Sequence, residues 1–362
     1  MARAGRPTTV RARLGDKMTS VQRESPNSGR VTIAEVAARA GVGASTVSRV
    51  LNGGQVSVRA RTRVLAVMNE LDYRPQASAR SLVTGSTGTL ALVIPFFTHP
   101  SAIERVRGVL GAVGSTQYEL VVCNVATPAH RDEYLGRRAP FDRSDGMLIV
   151  SLAPTDDEAR SYLRSGAPVV LVDAFHPLLP SLRTDDVAGG MLATRHLVEL
   201  GHERIAFVGD RTDPSFGFVS SARRREGYRR ALEEAGLETD ADLQREGPHG
   251  RHVAHRLTRE LLSLPEPPTA IFAASDTQAL GVLEAARFEG FDVPGDLSVV
   301  GFDDIEVAPY VGLTTVHQPL EDSGRRGVER LVAALGGDDD GLPLDERLEL
   351  SLEVRSTTAP PR

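Results

Sequence analysis

Residues 31–82 read VTIAEVAARAGVGASTVSRVLNGGQVSVRARTRVLAVMNELDYRPQASARSL, and their periodicity decides the reading of the chain. Thr32 is placed to cap a first helix, and Glu35 three residues later completes a capping-box pattern. Ile33, Val36 and Ala37 form an apolar stripe at helical spacing, and Gly41 supplies the left-handed residue on which such a helix ends. A second short helix is predicted from Ala44 to Leu51, with Val47, Val50 and Leu51 inward and Ala44, Ser45, Ser48 and Arg49 outward. A third begins after Ser57 and carries Val64, Leu65, Met68 and Leu71 on its inward side. Two short helices joined by a tight turn around a glycine form a helix-turn-helix, whose second helix fits a major groove. Beyond Tyr73-Arg74-Pro75, residues 76–83 have room for two further turns with Ala79 and Leu82 on one face, too few to be stable alone.

The stretches TIAEVAARAGV, TVSRVLN and LDYRP resemble the DNA-binding head of the lactose/galactose-repressor family of bacterial transcription regulators. The resemblance implies that Ala44 and Ser45 face base edges and that Arg49 reaches a guanine, whose O6 and N7 suit the guanidinium fork. It implies phosphate contacts from Thr32, Thr46, Ser48 and Asn52, which position the head without reading sequence. It also makes residues 76–83 a hinge helix that pairs with its twin in a dimer and inserts Leu82 into the minor groove as an apolar wedge. The alternatives are a three-helix packing domain with no nucleic acid, and a linker helix whose Leu82 packs on its own domain. One departure stands out: Gly43 occupies the place where the family usually has serine. Glycine still serves as an N-cap, but a hydroxyl is lost.

The charge distribution agrees with a nucleic-acid role confined to the head. Residues 1–82 carry 14 Lys+Arg against 5 Asp+Glu, a net +9. Against −6 for the whole chain, this leaves −15 for residues 83–362. Residues 1–30 are aperiodic, with a net charge of +5, and are expected to be a disordered basic extension. They either add non-specific DNA affinity or precede a true translation start at Met18. Lys17 is the only lysine, which removes a Walker-type phosphate lysine and a Schiff-base lysine from the body. Cys123 is the only cysteine, so no disulfide forms within one chain, in keeping with the cytoplasm. No apolar run is long enough to span a bilayer, and the Arg-rich start has no apolar core after it, so it does not read as a secretory signal.

From Thr89 the pattern changes to buried-type strands alternating with helices. Strands are predicted at 90–95, 119–125, 145–151 and 168–173, then at 204–210, near Leu243, at 269–275 and at 297–303. This describes an α/β core of two doubly wound parallel-sheet lobes, which bind ligands at the carboxyl ends of their strands. HLVELGHERIAFVGD, GYRRALEEAGL, AIFAASDTQALGVLEA, LSVVGFDD, LTTVHQP and LEVRSTTAPP resemble the effector-binding core of the same family, which shares its fold with periplasmic sugar-binding proteins. The chain then divides into a basic extension (1–30), the head (31–75), a hinge and linker (76–88) and the core (89–362). Within the core, a first lobe takes about 89–185 plus 319–341, and a second about 186–317 plus 344–362.

The resemblance places Arg224, Asp276, Asp303 and Gln318 against the hydroxyls of a sugar or a similar small effector. The chemistry fits, because a carboxylate accepts from two neighbouring hydroxyls and arginine donates through a fork. Asp276 could instead cap the helix beginning at Thr277, and Arg224 could be an exposed member of the run Arg223-Arg224-Arg225. Candidates for a flat stacking surface are Phe96, Phe97, Phe175 and Phe216 at strand ends, and His249 where the family often has an aromatic ring; each could equally be core or rim. Phe175, His249 and His317 depart from the family and leave the ligand open. His249, His252 and His255 have a spacing that could gather two imidazoles on a metal, although a solvated helix start fits better without a cysteine or acidic partner.

The sequence therefore reads as a homodimeric transcription repressor that binds a palindromic DNA operator under the control of a sugar-like effector, with no cofactor and no catalytic residues. No heptad tail follows the core, which favours a dimer over a tetramer. The rival is a sugar- or nucleoside-acting enzyme with a DNA-anchoring head. Against it, Gly108, Gly111 and Gly114 lie inside a predicted helix, and neither a nucleophile elbow nor a P-loop occurs.

Overall fold

The computed structural model describes residues 31–51, 54–73, 86–136, 143–212, 215–338 and 343–362. They fall into two compact units, one before and one after residue 79.

The first unit contains helices α1 (Ile33–Ala40), α2 (Ala44–Leu51) and α3 (Val58–Glu70). The capping box forms as the sequence requires, and Gly41 closes α1 at φ 63°. Val36, Ala37, Ala40, Val47, Val50, Val64 and Val67 make the buried centre, with Met68 and Leu71 packed against it. Leu65 is 47% exposed, which corrects the inward assignment made above. Residues 64, 67, 68 and 71 share one face at 3.6 residues per turn, whereas position 65 is rotated away from that face.

The second unit holds two six-stranded sheets. The first contains β1 (Thr89–Pro95), β2 (Glu119–Val125), β3 (Gly146–Val150), β4 (Val169–Val172), β5 (Ser181–Arg183) and β11 (Asp345–Arg347), in the order β11-β5-β4-β3-β1-β2. The second contains β6 (Ile205–Asp210), β7 (Gln244–Gly247), β8 (Ala270–Ala273), β9 (Ser298–Asp303), β10 (Thr314–His317) and β12 (Ser351–Glu353), in the order β12-β10-β9-β8-β6-β7. All pairings are parallel except β10 with β12. The chain thus passes between sheets three times, after Arg183, after His317 and after Arg347. Because β11 pairs with β5, residues 345–347 belong to the first sheet and not to the second lobe as the sequence suggested. Three-residue strands such as β5, β11 and β12 are too short to show a period.

Side-chain alternation explains the layers. Leu90, Leu92 and Ile94 of β1 join the cluster under α4 (Pro100–Val113) and α11 (Leu320–Gly336). Ala91 and Val93 face the opposite cluster under α5 (Pro128–Gly136) and α6 (Asp156–Ser165). The second sheet is covered likewise by α7 (Asp186–Glu199) and α8 (Ser220–Glu234) on one face, and by α9 (Arg251–Leu262) and α10 (Asp276–Glu289) on the other. Paired helices meet backbone to backbone at glycines. A Cβ on Gly108 would lie 1.9 Å from the Glu321 carbonyl oxygen, and one on Gly227 would lie 2.1 Å from that of Val187. Gly111 has open space around it, so the glycine spacing in α4 reflects one helix crossing and not a phosphate loop.

Gly227→Ala should therefore destabilise the core by about 1–3 kcal/mol through overpacking, while Gly111→Ala should be neutral or stabilise by up to about 1 kcal/mol. Urea unfolding of the full chain measures both; equal effects would mean that the α7–α8 crossing relaxes without cost.

Candidate functional site

On the head, Ala44, Ser45 and Arg49 are exposed on α2, and Thr46 and Ser48 are half-buried. The Thr32 hydroxyl accepts from the Glu35 amide at 3.3 Å and donates to the Glu35 carboxylate at 3.1 Å, so it is engaged in the cap. Asn52 and Leu82, like the rest of the expected hinge helix, lie outside the described residues.

In the core, the carboxyl ends of the parallel strands meet at a cavity of about 470 Å³. Its second-lobe wall is built on Arg224 of α8. Nε of Arg224 donates to Asp186 at 2.8 Å, and Nη1 donates to the Ala274 carbonyl at 2.7 Å. Nη1 also stands 3.6 Å from the Asp303 carboxylate, and the guanidinium lies 3.6 Å above the Phe302 ring. Arg224 is only 7% exposed, so it is not a member of a solvated arginine run. Burial pushes Asp186 and Asp303 above the ordinary carboxylate range, and the charge of Arg224 opposes the rise in both.

Gln318 joins the two lobes. Its Nε2 donates to Asp303 at 2.6 Å, and its Oε1 accepts from Arg105 of α4 and from the Thr184 hydroxyl, each at 3.3 Å. The Arg105 guanidinium is 3.2 Å from Asp173, whose other oxygen accepts from Ser151 at 2.6 Å.

Aromatic rings form a second wall. Phe96 stacks on His99 at 5.1 Å and lies 5.4 Å from Phe216, which stacks on Phe218 at 5.2 Å. His99 from the first lobe faces His249 from the second at 5.2 Å. Burial and the neighbouring His249 lower the His99 pKa. Burial alone would also lower His249, but its 3.1 Å contact with Asp210 outweighs that and raises it.

Of the residues singled out from sequence, Arg224, Asp303, Gln318 and His249 line the cavity, as do Phe96 and Phe216. Three do not. Phe97 is 39% exposed at the surface. Phe175 is turned outward, with the Arg183 guanidinium 4.2 Å over its ring. Asp276 is fully buried behind the wall, where it accepts from the Ile305 amide at 2.9 Å and the Thr315 hydroxyl at 2.6 Å. His255 packs edge-on against Phe288, His317 contacts Asp304 at 3.1 Å, and among the described residues no group of three His, Cys, Asp or Glu side chains could hold a metal.

Sequence reading missed Arg105, Asp173, Asp210, His99 and Phe218. Asp173 and Asp210 end the buried runs PVVLVD and RIAFVGD, the same signal that drew attention to Asp303. Arg105 lies within a helix, where nothing local distinguishes it from Arg107.

Comparison with known proteins bears on both units. Residues 32–76 match the family described as bacterial regulatory proteins, lacI family, and residues 194–358 match a periplasmic binding protein-like domain. The chain is 36% identical over 342 residues to the HTH-type transcriptional regulator CelR of Thermobifida fusca, covering 91% of this chain and 98% of that protein. It is 34% identical over 308 residues to the ribose operon repressor of Escherichia coli K12, covering 83% and 92%. Among solved structures, the CelR–cellobiose complex aligns with a TM-score of 0.66 at 33% identity, over 91% of this chain and 100% of that one. The lac repressor dimer bound to operator and the anti-inducer ONPF aligns at 0.76 and 28% identity, over 91% and 99%.

Desolvation, with the charge of Asp303 adding to it, pushes Asp276 up to about 8. Its folded pKa thus lies above the ordinary 3.8, so the stability it contributes is present at low pH and is lost as pH rises through about 8. Asp276→Asn should flatten that decline between pH 5 and 8.5 in urea unfolding; parallel pH profiles for variant and wild type would show the carboxyl to be ionised throughout.

Proposed function

The chain belongs to the lacI family of bacterial regulatory proteins, and we propose that it is a homodimeric cytoplasmic repressor whose grip on a near-palindromic operator is set by a neutral sugar bound between the core lobes. The observation that carries this reading is the two-walled cavity on the same chain as a helix-turn-helix. One wall presents carboxylates, guanidinium and amide groups, and the other presents rings. A sugar has the matching faces, hydroxyls at its edge and C–H groups on its flat side. The volume falls within the range of about 300–1,000 Å³ usual for small-molecule sites. CelR is known in complex with cellobiose and another relative is a ribose operon repressor, which supports a sugar as the effector class here. In this reading the chain turns over no substrate. The effector shifts the balance between lobe arrangements, and a coupling of about 1–3 kcal/mol to DNA binding is enough for a switch.

Operator selection from random duplex DNA, repeated with a panel of neutral mono- and disaccharides, tests the proposal. The expected result is a near-palindromic sequence whose recovery depends on one sugar. Salt-sensitive binding with no preferred sequence would sink it. With the selected operator in hand, Arg49→Ala should lose about 1–3 kcal/mol of discrimination at one base pair per half-site. A uniform loss on every sequence would make Arg49 a phosphate contact.

A further inference from the structure

The cavity contains two buried arginines that are engaged differently. Arg224 directs its nitrogens at Asp186, the Ala274 carbonyl and Asp303, and lies flat on Phe302. That guanidinium is held by the protein through Nε, Nη1 and its face, which leaves Nη2 alone without a protein partner. Arg105 is just as buried, at 6% exposure, yet only its Nη2 is engaged, with Asp173 and Gln318. Its buried Nε has no acceptor. Nε is closed off from solvent, whereas Nη1 has neither a protein partner nor such enclosure, so within the fixed fork of five N–H donors it is Nη1 that a bound ligand can engage.

The backbone does not let Arg105 withdraw. Its carbonyl oxygen lies against Gly324 of α11, where a Cβ would come within 2.1 Å, so α4 is seated at that point. Charge selects the kind of acceptor. Asp173 already balances Arg105, and the carboxylates of Asp210 and Asp303 line the same cavity. Asp173, Asp210 and Asp303 are matched by Arg105, Arg211 and Arg224 around the cavity, so no surplus positive charge awaits an anion, whereas an uncharged oxygen meets an unengaged donor.

We propose that Arg105 is the residue by which the cleft discriminates among neutral polyhydroxylated effectors, its unengaged guanidinium donors taking one uncharged acceptor oxygen of the ligand. This inference rests on the sugar-effector reading above and assigns one contact within it.

The test uses the full chain and isothermal titration with a panel of neutral sugars that includes cellobiose and ribose, together with the corresponding sugar acids. The neutral sugar that binds is then compared with its monodeoxy analogues on wild type, Arg105→Met and Arg105→Lys. The lysine variant keeps a positive charge beside Asp173, so it serves if the methionine variant fails to fold. On wild type, one deoxy analogue should bind about 10- to 100-fold more weakly than the parent sugar. On the variants, the parent itself should be weakened by that factor, and that analogue should show little further loss. A variant that loses affinity for the parent and still discriminates against every deoxy analogue as wild type does would reduce Arg105 to a structural role and overturn the proposal. Unchanged affinity, or preference for a sugar acid, would also overturn it. Silence from the whole panel would overturn the sugar reading and this inference with it; sugar binding indifferent to Arg105 would overturn the inference alone.

Discussion

Arg224 is a cation with almost no access to water, and the second lobe is arranged to make that tolerable. An unpaired charge in such a place costs several kcal/mol, and breaking one partner of a buried pair is typically as damaging. Here the compensation comes from three separate parts of the chain: Asp186 at the start of α7, the Ala274 carbonyl after β8, and Phe302 and Asp303 at the end of β9. Arg224 reaches them because α7 and α8 cross at glycines, with its own carbonyl 2.1 Å from where a Cβ of Gly190 would sit. Helix packing, sheet order and cleft electrostatics in this lobe are therefore one constraint. Asp276 belongs to the same lattice. Fully buried, it ties the start of α10 to β10 and to the loop after β9, behind the wall of the cavity.

The backbone gathers strain at the same edge. Phe96, Ser151, Asp173, Asp303 and Asp304 have positive φ values of 43°, 54°, 57°, 120° and 57°. Each follows or ends a parallel strand where the chain turns sharply out of the sheet. For a residue with a side chain, this conformation costs on the order of 1 kcal/mol or more. Three of the five, Ser151, Asp173 and Asp303, direct hydrogen-bonding groups into the network, and Phe96 contributes a ring to the opposite wall. Substituting glycine would ease the backbone and remove the group that the turn positions.

These facts explain what could be read from the sequence. The head was legible almost to the residue because caps, turn glycine and stripe are local features, and the one error, Leu65 for Val67, is a slip within a single turn. The α/β alternation was equally legible, since buried parallel strands of four to seven residues appear as unbroken apolar runs. The cavity was not, because its walls come from the ends of many elements distant in sequence. Arg105 and Gln318 touch across 213 positions, and no local pattern encodes that contact. Resemblance supplied Arg224, Asp303 and Gln318, but it also supplied Asp276, whose motif is real and whose carboxylate faces the interior. A motif fixes where a residue stands along the chain, whereas burial decides what it can touch.

The remaining step concerns how a small ligand could alter the relation between lobes. Phe216 and Phe218 leave the second lobe after β6, yet they pack with the apolar cluster of the first. Withdrawing one such ring from an apolar site costs about 1.5–3 kcal/mol, comparable with a few ligand hydrogen bonds. Gln318 sits at one of the three crossovers and bonds to both sides, to Arg105 in the first lobe and Asp303 in the second. A ligand that touches either partner changes the hydrogen bonding of Gln318, at the point about which the lobes must turn. The aromatic contact resists opening by an amount that the polar network can supply or remove. An equilibrium balanced within a few kcal/mol is what a coupling of ordinary size needs in order to act as a switch.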